Sequence, residues 1–132
     1  MVWWKGREQN GDMMLLLAHL LRADNDWRSA RITLASVVDS AEAADSMVTQ
    51  VREGLSHTRI QANVEAVVCD SDRGVVELIH ERSRDCDLVF LGLPLVPAGE
   101  EDEAARRLLE LVEGMPSTIL VRSAGPFRGQ LV

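Results

Sequence analysis

The chain has 132 residues, enough for one domain with a sizeable core and too few for two. A formal net charge of −7, from 14 basic against 21 acidic residues, disfavours nucleic acid and anionic lipid, both of which require a basic face. The two cysteines, Cys69 and Cys86, have no CxxC spacing and no nearby histidine pair, which argues against zinc or a disulfide framework and fits a reducing cytoplasm.

Val2 to Trp4 reads as a buried strand that follows Met1 with no polar lead-in, the pattern of a piece cut from something larger. Lys5 to Asp12 is a polar loop holding Gly6 and Gly11, and Met14 to Leu21 is a helix so apolar that it must pack on a sheet. After a polar connection from Arg22 to Ser29, the nearly continuous run Ile32 to Val38 is expected of a parallel strand buried on both faces. Asp39 or Ser40 can cap the next helix, with Glu42 in a box-like arrangement and a buried stripe of Ala44, Val48, Val51 and Leu55. Ala62 to Val68 alternates, with Asn63 and Glu65 interleaved, as an edge strand would. A third helix is expected from Asp70 to Asp72 onward, with apolar positions Val75, Val76, Leu78 and Ile79, ending in the charged turn Glu81 to Asp85. Asp87 to Pro94 is the strongest central strand, hydrophobic until a proline that cannot continue a ladder.

The acids Glu100 to Glu103 suit the positive end of a fourth helix, whose stripe is read as Ala105, Leu108, Val112 and Met115, stopped by Gly114 and Pro116. Ser117 to Arg122 is a fifth strand, and Ala124 to Val132 a loose tail. No run approaches the ~20 apolar residues of a membrane span, and no signal peptide opens the chain, so a soluble domain without direct membrane insertion is expected. The alternation βαβαβαβαβ predicts an α/β fold: an open parallel five-stranded sheet, order 3-2-1-4-5, with helices on both faces. The fifth strand would then be an edge with no gatekeeping charge before Arg122.

In such a sheet, ligands sit outside the carboxyl ends of the strands, which places Lys5 to Asp12, Asp39, Cys69 to Asp72 and Leu93 to Gly99 on the rim. That rim has neither GxGxxG nor a P-loop lysine-serine pair, and Asp39, Asp70 and Asp72 would repel triphosphate; they read as helix caps. His19, His57 and His80 share no catalytic or metal-binding spacing, and no serine stands in GxSxG. No catalytic, cofactor-binding or metal-ligating residue is assigned, and a non-enzymatic role without cofactor is expected. Cys69 ends the third strand and Cys86 precedes the fourth, so they lie at opposite edges of the sheet; at ~3.3 Å rise per residue they exceed the ~7 Å disulfide limit and read as core-lining thiols. Trp3 and Trp4 must point to opposite faces, so both faces of the first strand need cover, and Trp27 reads as core or interdomain packing.

VWW at Val2 to Trp4, Gly11, MLLLAHLL from Met14 to Leu21, and Trp27-Arg28 before the second strand together resemble the cytoplasmic C-terminal domain of the cation-chloride cotransporter family. LVFLGLP from Leu88 to Pro94 and EGMPSTILVR from Glu113 to Arg122 are similar to that family's last strands, so the likeness spans nearly the whole chain in order. The resemblance implies a universal-stress-protein-like fold used as a regulatory and assembly module of a sodium/potassium-chloride transporter, on the cytoplasmic side of the membrane. Its implied partners are the transmembrane domain, the other half of the same cytoplasmic region and a second copy in a homodimer. Asn10-Gly11-Asp12 stands where relatives often show paired glycines, and Ser123-Ala124-Gly125 where a glycine directly follows LVR. Universal stress proteins that bind ATP carry a glycine-rich stretch after the fourth strand; here that segment reads GLPLVPAGEEDE, with Pro94 and Pro97, so ATP does not carry over.

Overall fold

A computed structural model describes residues 1–5, 10–70, 72–128 and 131. Strands β1 (Val2–Trp3), β2 (Thr33–Val38), β3 (Asn63–Val68), β4 (Val89–Gly92) and β5 (Thr118–Val121) alternate with helices α1 (Gly11–Leu21), α2 (Ala41–Ser56), α3 (Val75–Ser83) and α4 (Glu101–Val112). All pairings are parallel and the order is β3-β2-β1-β4-β5, the expected arrangement. This topology is Rossmann-like and universal-stress-protein-like.

Two cores lie on the two faces of the sheet. Val2, Leu34 and Phe90 pack with Met14, Leu15 and Ala18 of α1 and Val51 of α2; Ala35, Val89 and Leu91 pack with Leu78 and Ile79 of α3. Neighbouring residues on each strand thus serve opposite cores, which is why these segments read as unbroken apolar runs. The tryptophans divide as their adjacency requires: Trp3 belongs to the α3 side, and Trp4 packs against the α1 side. The Trp3 indole Nε1 donates to Ser83 Oγ at 2.9 Å, satisfying a serine that is 0% exposed.

Several local readings shift. Ser40, not Asp39, caps α2, its hydroxyl accepting from Ala43 N at 3.1 Å, so Glu42 falls one position short of a capping box. Helix α3 starts at Val75 behind Gly74, beyond the aspartates; Val75 and Val76 stay exposed while Leu78 and Ile79 turn inward. On α4 the inward stripe runs through Ala104, Leu108, Leu111 and Val112; Ala105 is exposed, and the helix has no fully buried residue. Both cysteines are free and half-buried, packed against the α3-side core at opposite ends of their strands. The tail carries a 3-10 turn, Gly125–Phe127, and the Leu131 amide returns to Asp12 Oδ2 at 2.9 Å.

Candidate functional site

The strand order reverses beside β1, and ligands of open α/β sheets lie at that reversal, beyond the carboxyl ends of the strands. A crevice of about 400 Å³ opens there, where β1, β2 and β4 end against α1 and α3. Trp4, Val37, Val75, Ile79 and Leu111 give it a largely apolar wall. Among its described lining residues the ionisable side chain is Lys5, which is exposed, and the polar ones are Ser36 and Asn10. Gly6 of the first loop and Ser71 lie outside the described residues.

Asn10 determines the shape of this rim. It stands immediately before α1 and is only 7% exposed, yet its side chain makes no capping bond to the helix. Its Nδ2 instead donates to Leu93 O at 2.8 Å, and its Oδ1 accepts from Ser123 N at 2.7 Å. One amide therefore ties the start of α1 to the ends of β4 and β5, using both halves of its hydrogen-bonding capacity. The space it occupies explains Gly92: a Cβ there would lie 3.0 Å from Asn10 Nδ2 and 3.2 Å from Asn10 Cβ. A phosphate cradle would use that position and the free amides of the helix start. Here the position is filled by protein, and the first turn of α1 carries the buried carboxyl group of Asp12, whose Oδ2 accepts from Leu131 N.

The other residues weighed from sequence do not converge. His80 Nε2 sits 2.6 Å from Leu111 O and links α3 to α4, His57 is the exposed C-cap of α2, and His19 belongs to α1. Asp39, Asp70 and Asp72 are exposed, and among the described residues no group of three His, Cys, Asp or Glu could hold a metal. Cys69 Sγ donates to Arg73 O at 3.2 Å. Trp27 lies half-buried at the opposite, amino end of the sheet, beside Arg22 and Arg31. An Asn before a helix suggests a cap and nothing more; the sequence signal for this junction is the glycine in LGLP, a small residue inside the most hydrophobic strand. Among the described residues, no helix is long and apolar enough to cross a membrane. No family model matches the chain, and no curated protein matches it.

Proposed function

We propose that this chain is a non-catalytic regulatory and assembly domain of a cation-chloride cotransporter, held on the cytoplasmic side of the membrane and working by docking. The observation that carries this reading is the uncovered edge at β5. Ile119 and Leu120 are each 40% exposed, and Phe127, just beyond the strand, is 55% exposed. Val89 N and Leu93 N bond Ser117 O and Val121 O, so the parallel ladder's alternation turns the backbone of Thr118 and Leu120 outward. An apolar strand with open backbone groups is a template for another strand, and a second copy meeting it across a twofold axis closes the contact. The outer leucines of α1 support a further contact with the other half of the region: Leu17 and Leu20 are 36% and 56% exposed on a helix apolar around most of its circumference.

Covering Ile119, Leu120 and Phe127 fully is worth about 3 kcal/mol per copy, hence about 6 kcal/mol per dimer. Pairing the open groups of Thr118 and Leu120 across the twofold adds up to about four hydrogen bonds of about 1 kcal/mol each, so against an association cost of about 4 kcal/mol or more the isolated domain dimerises weakly, and sedimentation must be run at high concentration. Leu120→Lys in both copies removes about 2 kcal/mol of apolar contact, a weakening of about 30-fold. A domain strictly monomeric at about 1 mM, or a dimer indifferent to both Leu120→Lys and Phe127→Asp, would sink the reading.

The rival is a free-standing universal-stress-type ATP-binding protein, favoured by the crevice at the sheet's reversal. Calorimetric titration with ATP and magnesium separates the two: micromolar binding lost on Lys5→Gln would favour the rival.

A further inference from the structure

We propose that a second crevice, at the amino end of the sheet and on the far side from the first, is a binding site for a small multiply charged anion of the oligophosphate class. It holds about 580 Å³ between the α1–β2 connection and the end of α2. Four arginines line it, Arg22, Arg28, Arg31 and Arg52, and no acidic residue is among its described lining. In a chain of net charge −7, four of 14 basic residues on one concavity is a local reversal of sign.

The ion pairs among the described residues engage Arg73, Arg106 and Arg107, and none of these four. Arg28 hydrogen-bonds the neutral Asn25. Arg22 Nε is sealed from solvent without a hydrogen-bond partner, a donor whose burial is uncompensated by the chain itself. A common reason for such arginines is the negative end of a helix, and Arg22 is the C-cap of α1. That explanation falls short here: two helix C-termini supply about one negative charge between them, against four positive ones. An adjoining crevice shares Arg22 and Arg31 but carries Glu65, Asp85 and Asp87, which oppose an anion there. The preference for arginine suits phosphate oxygens, which a guanidinium fork meets two at a time. An anionic membrane is the poorer occupant, since the sites are concave and the whole chain is negative.

Inorganic tripolyphosphate is the probe, titrated by calorimetry and by the fluorescence of Trp27, which lies beside Arg22 and Arg31. Saturable binding below about 1 mM is expected, weakening with salt. Arg28→Gln with Arg31→Gln, both at exposed positions, should weaken it by about tenfold or more. Arg106→Gln with Arg107→Gln is the control and should leave it unchanged. Binding that ignores Arg28 and Arg31, or that falls equally in the control, overturns the proposal, as does the absence of saturation. This outcome is independent of the dimer test at β5 and of ATP binding in the carboxyl-end crevice.

Discussion

Replacing Asn10 by alanine removes a side chain that joins α1, β4 and β5. The substitution leaves Ser123 N–H, in a residue 6% exposed, without its acceptor, at a cost of about 1–3 kcal/mol. Leu93 O loses its donor as well, but Leu93 is half-buried and water recovers part of the loss, leaving about 0.5–1.5 kcal/mol. No helix cap is lost, because the Asn10 side chain makes no bond to α1. The whole effect is therefore about 2–4 kcal/mol, a large share of the 5–15 kcal/mol that holds a typical domain together. In thermal unfolding it corresponds to a fall of about 8–15 °C for a chain of this size. Urea unfolding followed by tryptophan fluorescence measures it directly, with an unchanged m-value showing that the native state stays compact. A loss within about 0.5 kcal/mol, the range of an ordinary surface substitution, would refute the junction.

Gly92→Ala should cost about 1–3 kcal/mol by the same urea assay, because its Cβ meets Asn10 Nδ2 at 3.0 Å; paired with Asn10→Gly it should add almost nothing, and full additivity would contradict the contact. Trp3→Phe and Ser83→Ala form a double-mutant cycle across a buried 2.9 Å hydrogen bond, with an expected coupling of about 1 kcal/mol and no coupling if the bond is not made. Ser40→Ala should destabilise by about 1 kcal/mol while Asp39→Ala stays near neutral; equal losses would count against the cap.

The sheet order was legible because strand runs and helical stripes alternate, and right-handed crossovers leave few windings. The opposed tryptophans were equally legible, since neighbours on a strand cannot share a face. Less could be read where spacing permits two answers. On α4, both Ala105 and Leu111 fit a helical stripe with Leu108 and Val112, and it is Leu111 that packs against the α3-side core while Ala105 stays exposed. The start of α3 was misplaced because aspartates that could cap a helix precede a glycine that does so through backbone geometry alone. At the rim, the partners of Asn10 lie 83 and 113 residues away, a distance over which local pattern carries no information. The arginine crevice is assembled in the same manner, from the ends of two helices and two connections.

The central strand is also the shortest. β1 offers two residues to each neighbour, Val2 and Trp3 against Leu34 and Ala35 on one side and against Phe90 and Leu91 on the other, whereas β2 and β3 share six pairs. The sheet is thus two sturdier ribbons stitched along a narrow seam. Under mechanical load the seam is where it would tear, and during folding the seam has to wait. β1 can reach β4 only after closing a loop that contains three helices and two strands, a late event when local pairings form first. The β1–β4 side of this seam is accordingly expected to close late in folding.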